Sequence, residues 1–313
     1  MAAPSLPLGR GALVDDEVPL SKVTFWSRLR RHKLAVAGLI VLALMVLGAL
    51  FAKQLAPFDP NAIDNVHWQG TPLPPCFQDA AQCGGHTLGT DEVGRDLLSR
   101  LLFGARISLA VGLTAVLMEL LIGTTLGAIA GYYGGWVDYA LMRLTDVFLS
   151  IPLLPLLLVL TAIVAASSSK AALNFGSIVL IIGALSWMAV ARLVRASFLS
   201  LREREFAEAA RAVGNNDARI IFRHLLPNAI APIVVQGTLD VANVIILESG
   251  LSFLGLGIQP PTASWGNMLA NAQSNLSIAW WAAVFPGLCI LVTVLAINYI
   301  GDGLRDALDP NMR

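Results

Sequence analysis

A helix needs roughly 20 consecutive apolar residues to cross a bilayer core about 30 Å thick, and this chain meets that length repeatedly. The first run, LAVAGLIVLALMVLGALFA, occupies residues 34–52, and ISLAVGLTAVLMELLIGTTLGAIAGYY follows at 107–133, long enough to need some tilt. A third extends from about Tyr139 to Ala166 with Pro152 and Pro155 inside it, and GSIVLIIGALSWMAVARLV fills 176–194. A fifth follows Pro227 to about Leu254, and a sixth covers roughly 279–300. Only 13% of the residues are charged and the mean hydropathy is +0.69, whereas a soluble domain carries nearer a quarter. The chain therefore reads as an all-α polytopic membrane protein with six transmembrane helices.

The basic residues orient it. With both termini cytoplasmic, the inside segments hold Arg10, Lys22, Arg28, Arg30, Arg31, Lys33, Arg143, the arginines from Arg192 to Arg223, Arg305 and Arg313. The outside loops hold Lys53, Arg95, Arg100, Arg106 and Lys170, so the 21 basic residues divide 16 against 5. The expected organisation is a cytoplasmic tail (1–33), a first span (34–53), an extracytoplasmic loop (54–105), a five-span core (106–303) and a cytoplasmic tail (304–313). The opening residues are Pro-rich and acidic, and the first apolar run is long enough to span, so it is expected to stay in the membrane. WSRLRRHK forms a basic collar suited to anionic headgroups.

The outside loop carries Cys76 and Cys83, flanked by His67 and His86. In an oxidising compartment a Cys76–Cys83 disulfide is expected, stabilising by about 2–3 kcal/mol on chain-entropy grounds. A Cys2His2 metal site and two free thiols are the alternatives. The loop ends in GTDEVGRDLLSRLLFGAR, whose wheel gathers Val93, Leu97, Leu98, Leu101 and Leu102 on one half. Glu92, Arg95, Asp96, Ser99 and Arg100 share the other, which predicts an amphipathic helix near 91–103 lying flat on the membrane or against the bundle. Thr90 or Asp91 would cap it, and Asp96–Arg100 would pair at i,i+4. In the second run Gly123, Gly127 and Gly131 recur every four residues, a small-residue stripe for close helix packing. GYYGGWVD predicts a tight turn after it. Cys289, in the sixth run, reads as an apolar filler.

Ionisable groups at membrane depth are costly, so each is a functional candidate. Glu119 lies midway along the second run, with no partner evident. In the fifth, Gln236, Asp240 and Asn243 fall within about 60° of one another, and Glu248 lies farther round. Such a stripe can line a water-filled path or serve as interhelical glue. There is no G-x-x-x-x-G-K-[ST], no H-E-x-x-H and no G-x-S-x-G. This polypeptide is expected to catalyse nothing alone, to bind no cofactor or metal, and to have no nucleic-acid partner.

One charged, Ala-rich segment interrupts the apolar runs: EFAEAARAVGNNDARIIFRHLLPN at 205–228. Helix propensity is high over 203–212. Gly214 stands where a left-handed C-cap belongs, and Asn216 or Asp217 can cap a second helix that Pro227 stops after Leu226. Ala207, Ala209, Ala210 and Ala212 leave little bulk, so a partner surface can approach, oriented by the charges around them. A solvated loop with helical ends is the plainer alternative.

EAARAVG, followed nine residues later by HLLP, resembles the EAA loop of ABC-importer permeases, E-A-A-x-x-x-G then I-x-L-P. The match falls on Glu208, Ala209, Ala210, Gly214, Leu226 and Pro227, with His224 where the general pattern has Ile. LGTDEVGRDLLSRLLFGARISL, GYYGGWVD, MRLTDVFLSIP, ESGLSFLGLGIQPPTASWGNML and GDGLRDALDP are similar to segments of the C-type permease subunit of dipeptide/oligopeptide (and nickel) transporters. The likeness runs from about Phe25 to the C-terminus, and the Cys76–Cys83 insertion lies outside it. The resemblance implies a type I ABC importer permease fold, multi-pass in a bacterial cytoplasmic (inner) membrane. Its partners would be a second permease, two ATPase subunits holding ATP and Mg, and an extracytoplasmic substrate-binding protein. Within the coupling segment 203–227, Glu205, Glu208, Ala209, Ala210, Gly214, Leu226 and Pro227 would dock an ATPase. Gln236, Asp240, Asn243 and Glu248 are the candidate translocation path. Peptide is the expected cargo, with nickel or another small solute as the alternative. A proton-driven secondary transporter using Glu119, Asp240 and Glu248, or a scaffolding subunit, are the readings from other classes.

Overall fold

A backbone in lipid must satisfy its own hydrogen bonds, and a helix does so within one segment. The computed structural model describes residues 29–30, 32–167 and 173–308, and among these all regular structure is helical apart from two isolated bridges, Ile63 with Arg95 and Thr90 with Asp96. The tail through residue 28, the basic residues Arg10, Lys22, Arg28, Arg31, Lys170 and Arg313, and the last five positions of the 304–313 tail lie outside the described residues.

In chain order the helices are α1 (Lys33–Leu50), α2 (Ala52–Leu55), α3 (Leu97–Tyr133), α4 (Gly135–Ser150), α5 (Leu153–Ser167), α6 (Phe175–Ser186), α7 (Met188–Leu201), α8 (Glu205–Ala212), α9 (Asp217–Arg219), α10 (Leu226–Phe253), α11 (Trp265–Ala272) and α12 (Trp280–Leu308). α3 is central, packed by α7, α6, α10 and α1, while α12 lies between α1 and α10 and α11 crosses both α10 and α12. Among the described residues four helical segments are long and apolar enough to cross a membrane: Lys33–Leu50, Leu97–Tyr133, Asp217–Phe253 and Trp280–Leu308. Two bent pairs, α4 with α5 at 83° and α6 with α7 at 42°, raise the number to six if each is one span.

Each bend has a local cause. Pro152 has no N–H to donate, and it holds Ile151 in an extended conformation, φ −93° and ψ 126°. Between α6 and α7, Ser186 Oγ bonds back to the Ile182 carbonyl at 2.9 Å just before the break at Trp187, a pattern that bends helices. The turn from α3 to α4 takes a single residue, Gly134, at φ +65°, where an L side chain would be strained.

The glycine stripe sets the main contact. A Cβ at Gly123 would fall 2.7 Å from Val190 Cβ, and one at Gly131 2.6 Å from Phe198 Cβ. One at Gly127 would press on the Ala191 carbonyl oxygen more closely still. The α3 and α7 backbones therefore touch. Gly38 does the same for α1, where a Cβ would lie 2.6 Å from the Ala296 carbonyl oxygen of α12.

Two sequence expectations are corrected here. The amphipathic helix near 91–103 does not exist as a separate element. Residues 91–96 are loop, Asp96 rather than Thr90 or Asp91 is the N-cap, and Leu97 begins a 37-residue helix. Its polar half is buried as well as its apolar half, because the preceding loop covers it. Ser99 Oγ accepts from Phe58 N–H at 3.2 Å, and Arg100 reaches the Pro60 carbonyl at 3.0 Å and Asp91, not Asp96. Nor does Pro227 stop a helix. A π-helical turn at Ile220–Leu225 leads directly into α10, placing Pro227 in its first turn, where the missing N–H costs nothing. The helical path thus runs unbroken from Asp217 to Phe253.

Gly127→Val should lower the thermal midpoint of the detergent-solubilised protein by roughly 2–10 °C, since overpacking costs about 1–3 kcal/mol. Gly250→Ala, whose Cβ meets nothing within 4 Å, should leave it unchanged or slightly raised. Equal midpoints for the two variants would refute a tight α3–α7 contact.

Candidate functional site

α8 is a short amphipathic helix, and the spacing of its alanines decides what it shows outward. Ala207 and Ala210, three residues apart, are buried on Phe198, Ile220, Ile221 and Leu225. Glu205, Glu208, Ala209 and Ala212 are exposed, with Phe206 partly exposed beside them and Val213 84% exposed. The seven residues of the expected docking set therefore divide. Glu205, Glu208, Ala209, Gly214 and Pro227 face outward, while Ala210 is buried and Leu226 half-buried within the bundle. Periodicity places 207 and 210 on one face, but only the tertiary fold makes that face the inner one.

The segment is held firmly. Gly214, at φ +82°, donates to the Arg211 carbonyl at 2.9 Å, and Asn215 N–H donates to Ala210 O at 3.2 Å, closing α8 in a left-handed cap. Asn216 caps the next helix by accepting from Arg219 N–H at 2.9 Å. Four hydrogen bonds fix the hairpin to the bundle. Tyr132 OH donates to Asp217 at 2.7 Å, Arg211 to the Arg202 carbonyl at 3.1 Å, and Arg202 to the carbonyls of Gly131 and Tyr132 at 3.2 and 3.3 Å. The bonds of Tyr132 to Asp217 and of Arg202 to the end of α3 were not legible in the sequence, because those partners lie 70 or more residues apart.

The polar stripe of α10 also divides. Gln236 Nε2 donates to both Asp240 carboxylate oxygens, at 3.0 and 3.1 Å, and Asn243 Nδ2 donates to Asp240 at 3.4 Å. Asp240 and Asn243 line a cavity of about 540 Å³, together with Glu119 of α3 and the apolar bend between α4 and α5. Glu119 thus acquires the neighbour its own sequence context lacked, since its carboxyl lies beside that of Asp240. Glu248 is elsewhere. It is wholly buried, accepts from Ser252 Oγ at 2.7 Å, and sits with Ser108 and Ser264 where α3, α10 and α11 meet. That junction is a packing knot: Trp265 N–H donates to Ser108 Oγ at 3.2 Å and Trp265 Nε1 to the Leu101 carbonyl at 3.2 Å. Glu248 is therefore removed from the cavity-lining set.

Two ion pairs tie α4 to α7, Asp138 with Arg195 and Asp146 with Arg192. Opposite charges in neighbouring apolar runs are the one sequence signal of these pairs, and it does not fix which partners meet.

In the loop before α3, Cys76 and Cys83 are joined by a disulfide. The flanking histidines turn to carboxylates. His67 Nδ1 meets Asp64 at 2.8 Å, while buried His86 meets Asp64 at 3.2 Å and Asp96 at 2.9 Å. Burial pushes the Asp64 carboxyl up, but bonds from the His67 backbone and side chain, the Val66 N–H and His86 outweigh it and hold Asp64 well below the usual carboxylate range. Glu92 moves the other way, raised by burial and then by the Asp91 charge beside it. Among the described residues no group of three or more His, Cys, Asp or Glu side chains is arranged to hold a metal ion.

Residues 123–313 match the family described as binding-protein-dependent transport system inner membrane component, and residues 23–75 match the N-terminal TM domain of oligopeptide transport permease C. The chain is 43% identical over 291 residues to the glutathione transport system permease protein GsiD of Pectobacterium atrosepticum, covering 92% of this chain and 91% of that one. It is 41% identical over 290 residues to the di/tripeptide transport system permease protein DppC of Pseudomonas aeruginosa, covering 92% of each. A solved chain of the inward-facing MetNI methionine ABC transporter shares the fold at TM-score 0.53 and 18% identity, over 67% of this chain and 96% of that one.

The depressed Asp64 carboxyl fixes the sign of a pH effect. Its stabilisation is complete above the unfolded carboxyl value of about 4 and is lost as pH falls below that toward the folded value. Hydrogen exchange over residues 61–96, corrected for intrinsic rates, should show the loop loosening below about pH 4 in the natural chain. In Asp64→Asn the loop should be looser at neutral pH, with that part of the acid response removed.

Proposed function

The chain belongs to the family of binding-protein-dependent transport system inner membrane components, and on that premise we propose that it is one permease half of an ATP-driven importer of dipeptides and oligopeptides. It is the non-catalytic membrane subunit, and ATP hydrolysis resides in partner subunits. Similarity to permeases named for di/tripeptide and dipeptide transport supports the cargo.

In this reading the chain crosses a bacterial inner membrane six times, each bent pair counting as one span, with both termini cytoplasmic. The division of basic residues supports that orientation. The partners are a related second permease, two ATPases with ATP and Mg, and an extracytoplasmic binding protein. α8 seats its outward face, Glu205, Glu208 and Ala209 with Val213 and Gly214 at its end, in a cleft of one ATPase. Leu226 and Pro227 serve that contact by continuing the hairpin into α10.

ATP binding draws the ATPases together and carries α8 with them. Because α8 rests on Phe198 of α7 and on the π turn entering α10, its displacement is delivered to α7 and α10, two of the helices that line the cavity. Nucleotide acts only by favouring one bundle conformation over the other, and reversing a 1:99 population requires about 5.5 kcal/mol of differential binding. The observation that carries the reading is the exposed small-residue face of α8 on a rigidly fastened hairpin in a chain of this family. The proton-driven alternative draws less support, since Glu248 does not line the cavity that Glu119 and Asp240 share.

Co-purification tests the docking face. Glu208→Lys and Ala209→Trp should reduce recovery of the ATPase with the membrane-inserted permease at least fivefold, leaving permease yield near normal. Ala210→Trp should instead lower permease yield, because that side chain points into the bundle. Normal ATPase recovery with both outward variants would refute the assignment. The cargo is tested in proteoliposomes containing both permeases, the ATPases and the binding protein, where a dipeptide should stimulate ATP hydrolysis and accumulate inside.

A further inference from the structure

The cavity between α3, α10 and the α4–α5 bend has an imbalance of charge. Glu119 and Asp240 both line it, Glu119 97% buried and Asp240 92% buried. Among the described residues no lysine, arginine or histidine lines it. The two arginines of α7 that carry ion pairs are committed elsewhere, Arg192 to Asp146 and Arg195 to Asp138. Asp240 is satisfied by amide donors from Gln236 and Asn243. Glu119 Oε2 has no hydrogen-bond partner although it is buried. A buried carboxylate with an open acceptor, beside a second carboxylate in apolar walls, lacks a cationic donor.

We propose that this cavity binds a primary ammonium group, as carried by the N-terminus of a short peptide. An ammonium offers three N–H donors and no acceptor. Glu119 Oε2, the Asp240 carboxylate and the Asn243 carbonyl oxygen, whose own amide N–H group is turned to Asp240, supply three acceptors. The apolar remainder, including Phe148, Met188 and Leu247, takes side chains without selecting among them. The volume of about 540 Å³ falls within the range of small-molecule pockets and admits a short peptide. This inference rests on the peptide reading above and adds to it a definite end of the cargo. The membrane subunit itself holds the amino end, between the helices that α8 moves.

The test uses the complete transporter, both permeases with their ATPases, in nanodiscs without the binding protein. Equilibrium dialysis measures binding of radiolabelled dialanine and of N-acetyl-dialanine, which lacks the ammonium. Dialanine should bind saturably, and acetylation should weaken binding at least tenfold. Glu119→Gln and Asp240→Asn should each weaken dialanine tenfold or more and narrow the gap between the two ligands. Equal binding of both ligands to the natural complex would overturn the proposal without recourse to any variant. So would absence of saturable dialanine binding, or unchanged discrimination in both variants. Dialanine uptake by the same complex, with binding protein and ATP added, separates the two readings. Uptake with no ammonium preference sinks only the cavity assignment, whereas no uptake of any short peptide sinks the peptide reading as well.

Discussion

The contact between α3 and α7 through Gly123, Gly127 and Gly131 is the constraint on which the rest of the architecture depends. Lipid provides no hydrophobic drive to bring two apolar helices together, so association relies on close packing. Three glycines on one face let the α3 backbone reach the carbonyls of Ala191 and Arg195, and any side chain there would push the helices apart. The approach also lets Arg202 hydrogen-bond the carbonyls of Gly131 and Tyr132 at the end of α3. It sets Phe198 under Ala207 and Ala210. The exposed face of α8 is thereby mounted on a closely packed pair of helices.

Polar groups among the spans sort by their company. Where an acid meets a base, as in Asp138–Arg195 and Asp146–Arg192, the pair joins two helices that lipid would otherwise leave unassociated. Where an acid meets hydroxyls, as Glu248 does with Ser252 of its own helix and with Ser108 and Ser264, it holds the junction of α3, α10 and α11. Only Glu119 and Asp240 meet each other, with no base beside them and open volume next to them. Burial marks Glu119, Asp240 and Glu248 alike. The partner distinguishes a fastening from a site.

The loop before α3 makes a small core of its own. Its disulfide, its buried His86 between two carboxylates, and the cover it places over Ser99 and Arg100 turn the polar half of an amphipathic wheel into an interior surface. A wheel separates polar from apolar faces, but it does not say that water lies on the polar one.

Much of this protein was determined by local sequence. Run length measured against bilayer thickness locates the long apolar helices, four-residue glycine spacing marks a packing face, Gly214 and Asn216 frame the hairpin, and the family resemblance rests on motifs in order along the chain. Tertiary structure alone decided that Ala210 faces inward and Ala209 outward, that Glu119 belongs beside Asp240, and that Glu248 does not join them. It also decided that the helix continues through Pro227 by way of a π turn. The physical reason is one of range. Periodicity, capping and backbone sterics act over a few residues and fix which side chains share a face. What that face meets is set by contacts between residues such as Glu119 and Asp240, more than a hundred positions apart, which no local pattern records.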